Sequence, residues 1–120
     1  MANISESLAK AMQIDGAIGV ALVDFKSGMC LGTEGGGRIN MQLAAAGNTE
    51  VVRAKKKVRD KLGIEDKIED ILITLEAQYH LIRMLHSSTT VFLYLILDRG
   101  KSNLALARLE LEKIDKNLDM

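Results

Sequence analysis

Apolar residues recur along this chain at two different periods, and the period of each stretch predicts its secondary structure. Residues 4–14 carry apolar side chains at helical spacing, with Asn3 as N-cap and Glu6 placed to complete a capping box. Residues 17–23 and 29–33 are short and rich in strand-forming residues, and the turn between them ends in a glycine that can adopt positive φ. The beginning of the chain therefore predicts a helix followed by a β-hairpin.

The longest periodic segment predicts a helix over residues 39–62, ended by Gly63. Its main apolar stripe steps by 4, 4, 3, 4 and 4 residues and consists of Leu43, Gly47, Val51, Ala54, Val58 and Leu62. At about 100° per residue, this stripe has the width of one buried helix face. Met41, Ala45 and Val52 lie on the opposite side of the helical wheel. We therefore predict that these three residues form a second apolar face, which is exposed at the surface.

Three further strands are predicted over residues 71–75, 79–85 and 91–97. Short links join them, which favours antiparallel neighbours. The strands at 17–23 and 91–97 are apolar at both alternating sets of positions, so we expect helices on both faces of the sheet. A final amphipathic helix, capped by Ser102, provides part of this cover. The predicted fold is α+β, in the order α-β-β-α-β-β-β-α, with a five-stranded antiparallel sheet and helices on both faces.

Composition and charge narrow the functions that this fold can have. Hydrophobic residues make up 48% of the 120 residues, aromatic residues only 3%, and tryptophan and proline are absent, so the chain has little with which to stack on bases. Sixteen acidic residues balance sixteen basic ones, and we expect no nucleic-acid partner. The longest apolar stretches are seven residues, whereas a membrane span needs about twenty, so we expect no membrane insertion.

The residue types that carry chemistry do not form a recognisable catalytic site. The length of 120 residues predicts one domain, residues 1–120. Cys30 has no partner for an intrachain disulfide, and the first residues lack the pattern of a secretion signal, so we expect a cytoplasmic location. Cys30, His80 and His86 lack metal-ligand spacing, and no nucleophile elbow occurs. We therefore expect no metal, no cofactor and no enzymatic activity.

Two glycine-containing motifs are similar to phosphate-binding loops. Gly100-Lys101-Ser102 follows a strand and opens a helix, but the first glycine of a P-loop would fall at Leu95, inside the strand. We interpret this motif as a turn and a helix cap. Three consecutive glycines at residues 35–37 either present backbone amides to an anion or form a connector, and the frequency of glycine in loops favours the connector.

The C-terminal half of the long helix carries a basic run, which consists of Arg53, Lys55, Lys56, Lys57, Arg59 and Lys61. On the helical wheel these residues scatter instead of forming one stripe, and cations are favoured near a helix C-terminus. We interpret the run as a solvated surface, with a charged rim for a protein partner as the alternative.

The second apolar face has two explanations. Met41, Ala45 and Val52 are either a chance scatter of good helix formers, or they are a contact face, because small side chains let another helix approach closely. The strand predicted over residues 71–75 would favour pairing with a second subunit if it lies at a sheet edge. The contact-face explanation predicts that this chain binds another copy of itself or another protein.

The order of elements and several stretches resemble the roadblock family, which includes roadblock-type dynein light chains and bacterial partners of small Ras-like GTPases. The stretches are residues 17–28, the Ala- and Gly-containing helix from Ile39, and residues 79–85 with 91–97. The resemblance covers nearly all of the chain. It implies a profilin-like fold and a homodimer, in which the third strands pair into one continuous sheet and the two long helices lie side by side.

The resemblance also implies a site and a function. The implied helix-pair or partner surface and sheet junction consist of Met41, Ala45, Val52, Ile71, Ile73 and Leu75. The candidates for contacts with a GTPase flank the second apolar face and are Gln42, Thr49, Arg53 and Lys56. The implied function is a non-enzymatic homodimeric regulator or scaffold of a small Ras-like GTPase, with or without stimulation of GTP hydrolysis by positioning. The alternatives are a structural adaptor in a larger signalling or motor assembly and a small-ligand sensor, although the few aromatic residues poorly fit a ligand pocket.

Overall fold

The structure is a computed structural model that describes residues 1–120 and contains three α-helices and five β-strands. In chain order these are α1 (Ile4–Ala11), β1 (Ala17–Asp24), β2 (Met29–Gly35), α2 (Met41–Lys61), β3 (Asp70–Thr74), β4 (Gln78–Met84), β5 (Val91–Asp98) and α3 (Leu104–Asn117). Every predicted element is present, and its ends differ from the predicted ones by at most three residues. None of the helices is both long enough and apolar enough to cross a membrane.

The five strands form one antiparallel sheet in the order β2-β1-β5-β4-β3. The two hairpins, β1–β2 and β3–β4, therefore lie at opposite ends of the sheet, and β5 joins them at the centre. β2 and β3 are the edge strands. The predicted fold class is confirmed, including the element order and the antiparallel pairing.

The central strand β5 is buried on both faces and connects two hydrophobic cores. Phe92 and Ile96 pack on the side of α2, whereas Leu93 and Leu95 pack on the side of α1 and α3. All four side chains are fully buried. Because burial of one such side chain contributes about 1.5–3 kcal/mol, β5 is a main source of stability. The prediction of helices on both sheet faces is confirmed.

Local side-chain contacts set the helix ends. The Asn3 side chain accepts a hydrogen bond from the backbone amide of Glu6 at 2.8 Å, and the Glu6 carboxylate accepts one from the backbone amide of Asn3 at 3.2 Å. These two bonds confirm the predicted capping box of α1. The predicted cap of α3 is wrong by one residue. Asn103 is the N-cap, because the hydroxyl of Ser102 instead donates to the carbonyl of Asp98.

The face of α2 that packs against the sheet is opposite to the predicted one. Met41, Ala45 and Val52 are at most 5% exposed and belong to the core between α2 and the sheet. Thr49 completes this buried face, and its hydroxyl donates to the carbonyl of Ala45 at 3.2 Å. Leu43, from the stripe predicted to be buried, is 70% exposed. The prediction that Met41, Ala45 and Val52 lie at the surface is therefore wrong, because periodicity does not distinguish which of two apolar stripes meets the sheet.

The start of α2 lies close to β1 because two glycines meet there. A Cβ atom on Gly19 would lie 2.8 Å from the Cα atom of Gly36 and 2.8 Å from the sulfur of Met41. Gly36 has a φ of 103°, a conformation that side chains disfavour, and its amide donates to the carbonyl of Ile18 at 2.7 Å. The three consecutive glycines thus form an ordered connector, which brings Met41 into the core.

Candidate protein-interaction surface

The outward side of α2 carries an uncovered apolar row, which we call the α2 stripe. It consists of Leu43, Gly47, Val51, Ala54, Val58 and Leu62. The side chains of Leu43, Val58 and Leu62 are 70%, 47% and 66% exposed, and only Val51 is partly buried. Single exposed apolar residues are common at protein surfaces, but a contiguous apolar row along one helix is typical of a surface that contacts another protein.

The α2 stripe points away from the sheet, since α2 packs mainly on β1 and β2 through its opposite face. At about 100° per residue, Asn48 lies between the stripe and the buried face of α2, and its side-chain amide donates to the carbonyl of Ala44 at 2.7 Å. On the other flank of the helix, Arg53 reaches the carbonyl of Phe25 at the end of β1. The stripe therefore lies on the solvent side of α2, whereas β3 lies at the opposite end of the sheet from β1 and β2.

Strand β3 forms an open edge of the sheet. It pairs only with β4, so its other backbone edge has no partner strand. Ile71 and Ile73 lie opposite Ile82 and His80, face the α2 side and are partly buried. Leu75 lies one residue beyond the strand and is 44% exposed. An apolar edge of this kind is prone to pair with a strand of another chain.

The predicted rim residues do not all reach the surface. Gln42 and Arg53 are exposed, Lys56 is partly exposed, and Thr49 is only 2% exposed. The prediction for Thr49 as a partner contact is therefore wrong, because it lies between α2 and the sheet. Arg53 and Lys56 both rest on Phe25, the first through a 2.6 Å hydrogen bond to its carbonyl and the second with its ammonium 4.7 Å from the ring centre. These contacts hold two cations at fixed places on the surface.

A polar cluster that sequence reasoning missed lies on the α2 side of β4 and β5. The hydroxyl of Tyr94 is 2.8 Å from Nδ1 of His80, and Nε2 of His80 is 2.9 Å from Oε1 of Gln78. Burial lowers the pKa of His80, and burial also raises the pKa of Tyr94 against the opposing effect of a hydrogen bond with Asn48. The alternation of both strands puts these residues on one face, but only the register, with Ile82 opposite Tyr94, brings them together.

An open cleft of about 800 Å³ lies where the C-terminal half of α2, residues 66–69, the β4–β5 turn and α3 meet. Its basic residues are largely paired with carboxylates, namely Arg59 with Asp60 at 2.9 Å, Arg83 with Asp115 at 3.0 Å and Lys116 with Glu112 at 2.9 Å. The hydrogen bond and charge of Lys116 lower the pKa of Glu112. Only three of the 14 lining residues are hydrophobic. A cleft with this lining does not favour the ligand-sensor alternative.

The short glycine motif near the end of β5 forms a turn. The carboxylate of Asp98 accepts the amide of Gly100 at 2.9 Å, and the hydroxyl of Ser102 donates to the carbonyl of Asp98. The interpretation of Gly100-Lys101-Ser102 as a turn is confirmed. No three His, Cys, Asp or Glu side chains are grouped so that they could hold a metal ion.

Comparison by sequence finds neither a protein-family profile nor a curated protein that matches this chain. Comparison of structures finds clear similarities. MglB of Myxococcus xanthus has a TM-score of 0.80 and 20% identity, over 94% of this chain and 91% of that one. A Roadblock/LC7 domain from Streptomyces avermitilis has a TM-score of 0.82 and 11% identity, over 96% and 93%. A structure of MglB with a tetrameric arrangement has a TM-score of 0.75 and 18% identity, over 93% and 87%.

These similarities extend over nearly the whole chain, while the identities are too low to carry more than the architecture. In this chain the matched architecture consists of the five-stranded sheet, the α2 layer on one face and the α1–α3 layer on the other. The resemblance inferred from the sequence and the comparison of structures therefore lead to the same conclusion: this chain has the roadblock fold.

Proposed function

We propose that this chain is a cytoplasmic, non-enzymatic homodimeric regulator or scaffold, a single roadblock-like domain that binds a small Ras-like GTPase. The observation that carries the proposal is the α2 stripe, an apolar row that faces away from the chain's own sheet, and the open edge of β3 supports it. The similarity to MglB supports the regulatory role, and the tetrameric arrangement of one MglB structure supports self-association.

The proposed dimer uses two features of each copy, the open edge of β3 and the α2 stripe. Pairing of β3 with β3 of a second copy would satisfy the open backbone edge and extend the sheet. The two α2 helices would then lie side by side above the junction, with their stripes in contact. Gly47 and Ala54 offer little side chain, so the helices can approach closely at these positions. Ile71, Ile73 and Leu75 remain proposed junction residues, whereas Met41, Ala45 and Val52 are not included, because the chain's own core contains them.

The dimer is tested by a charge placed in the α2 stripe. Leu43→Asp puts a carboxylate where we propose that an apolar contact forms, so we expect self-association to weaken at least about tenfold, the scale of one lost buried apolar contact plus a desolvated charge. The measurement is the dimer dissociation constant by sedimentation velocity over a dilution series.

Leu109→Asp is the matched control for this experiment. Leu109 is 49% exposed on α3, on the other face of the sheet, so the same substitution there should leave the dissociation constant unchanged. A wild-type protein that stays monomeric at high concentration would refute the proposed dimer. Equal weakening by both substitutions would show that the α2 stripe has no special part in it.

The proposed GTPase contact lies on the flank of α2 that faces the end of β1. Gln42 is exposed there, and Lys56 presents an ammonium over the ring of Phe25. Arg53, which also pairs with Glu50, is held by the carbonyl of Phe25. Fixed cations suit recognition of an acidic protein surface, because less side-chain entropy is lost on binding. We propose that these three residues position the GTPase, and that any rise in GTP hydrolysis arises from ordering of the GTPase's own groups.

The GTPase contact is tested with a small Ras-like GTPase encoded beside this chain in its genome. We expect the chain to bind the GTPase loaded with a non-hydrolysable GTP analogue more tightly than the GDP form, as measured by calorimetry, with phosphate release as a second measurement. Lys56→Ala should weaken binding about threefold to tenfold, because it removes one charge contact. Lys113→Ala, an exposed lysine on α3, should have no effect. Absence of binding to any such GTPase in either nucleotide state would refute this part of the proposal.

A further inference from the structure

The His80 cluster has a hydrogen-bond arrangement that fits a neutral imidazole. Both ring nitrogens have partners, with the hydroxyl of Tyr94 at Nδ1 and the amide oxygen of Gln78 at Nε2. The amide oxygen is an acceptor only, so Nε2 carries a proton and donates it. Nδ1 then accepts the proton of the Tyr94 hydroxyl, and this is the neutral tautomer of histidine.

Protonation of His80 would break this arrangement. Nδ1 would become a donor, and the hydroxyl of Tyr94 would have to turn its own proton toward a different acceptor. Tyr94 is 1% exposed, so little water is available there to accept that proton. A buried polar group without a partner is costly. The cluster therefore disfavours the charged imidazole.

The charged residues on the surrounding elements do not offset this preference. Those of the strands are engaged elsewhere: Asp70 of β3 with Arg108, Arg83 of β4 with Asp115, and Asp98 of β5 with the amide of Gly100. On α2, Glu50 and Arg53 pair with each other. The other charged residues of this helix, from Lys55 onward, lie nearer its C-terminal end. Glu76, in the β3–β4 turn, is exposed. The pKa of His80 is accordingly lowered by burial alone.

The cluster lies at the place that a second copy would cover. His80 is opposite Ile73 of β3 and faces the α2 side of the sheet, next to the proposed β3 junction. It is only partly buried in one copy. Approach of a second α2 helix would remove the remaining water from His80, once in each subunit.

We infer that His80 makes self-association of this chain sensitive to pH, so that mild acid dissociates the dimer. The inference rests on the proposed dimer and adds a form of regulation to it. Above the ordinary pKa of 6.5 for histidine, His80 is neutral in both monomer and dimer, and pH has no effect. As the pH falls through the pKa of the monomer, which burial already holds below 6.5, the less buried imidazole of the monomer takes up a proton first, so the dimer loses stability. The effect is complete once the pH is below the lower pKa in the dimer.

The test is the dimer dissociation constant at about pH 8 and about pH 5.5, the range in which histidine titrates. We expect the wild-type constant to rise at least about tenfold on acidification, because two equivalent imidazoles titrate in each dimer. His80→Gln removes the titrating group and should abolish this dependence. His86→Gln is the matched control, since His86 is the chain's other histidine and is exposed in the β4–β5 turn, and it should keep the wild-type dependence.

A second measurement does not depend on whether His80→Gln still forms a dimer. The titration of the His80 imidazole by NMR should give a lower pKa in concentrated protein than in dilute protein, because linkage requires it if protonation opposes association. The same pKa at both concentrations would overturn the inference, as would equal dissociation constants at the two pH values. These outcomes leave the dimer itself standing, whereas a monomer at both pH values would refute the dimer and the inference together.

Discussion

Val52→Arg should unfold this protein or leave it barely stable. Val52 has no exposed surface and packs between α2 and the sheet, in the same core as Met41 and Ala45. A guanidinium at this position would be buried without a carboxylate partner and would also be too large for the space. We expect a loss of at least about 4 kcal/mol, out of about 5–15 kcal/mol for a whole domain. The melting temperature by circular dichroism should fall by at least about 15 °C.

Val58→Arg is the matched control, because the same substitution then falls on the α2 stripe. Val58 is 47% exposed, so the variant should fold with a stability within about 0.5 kcal/mol of the wild-type monomer. It should, however, lose self-association if the stripe is the dimer surface. A Val52→Arg protein with a native spectrum and an unchanged melting temperature would contradict the assignment of α2 faces.

Asp115→Ala should cause the second large loss of stability. The Asp115 side chain is fully buried, lies 3.0 Å from Nε of Arg83 and accepts the amide of His86 at 2.8 Å. Its removal leaves the guanidinium of Arg83, only 15% exposed, and a backbone amide without their partners. Loss of one member of a buried ion pair costs about 3–5 kcal/mol. Urea denaturation at a fixed protein concentration measures the change, since self-association would otherwise alter the apparent stability.

The control for this ion pair is Arg108→Ala. Arg108 and Asp70 also lie 3.0 Å apart, but their side chains are 42% and 23% exposed. Water screens the pair and can solvate the remaining carboxylate, so we expect a cost of at most about 1 kcal/mol. If Asp115→Ala lowers the free energy of unfolding by no more than Arg108→Ala does, the buried Arg83–Asp115 pair does not stabilise the contact between β4 and α3 as proposed.

The strands and helices could be predicted from the sequence because their signals are local. β5 is apolar at seven consecutive positions, which is diagnostic of a strand covered on both faces. The β1–β2 turn contains an aspartate and a glycine at positions that suit a turn, and Asp24 does accept the amide of Lys26 at 2.9 Å. The edge position of β3 could not be predicted in this way, because short links favour antiparallel neighbours but do not set the order of the strands in the sheet.

The candidate surface was predicted less well, because it depends on which side of α2 meets the sheet. Both sides carry apolar residues, and the side with more of them was expected to be buried. In the structure the side with fewer apolar residues is buried. The small side chain of Ala45 lets the helix approach the sheet, and the hydroxyl of Thr49 donates a hydrogen bond to a carbonyl of the same helix. The prediction of an extra apolar surface on α2 was thus useful, although it named the wrong residues.

The sequence by itself determined the order of elements, the presence of strands covered on both faces and the presence of two apolar stripes on one long helix. These properties follow from periodicity and turn chemistry, which act over a few residues. Only the tertiary structure decided which stripe remains open and that His80, Tyr94 and Gln78 meet. Both outcomes depend on strand register and on the close approach of Gly19 and Gly36, contacts between residues far apart in the chain that no local pattern records.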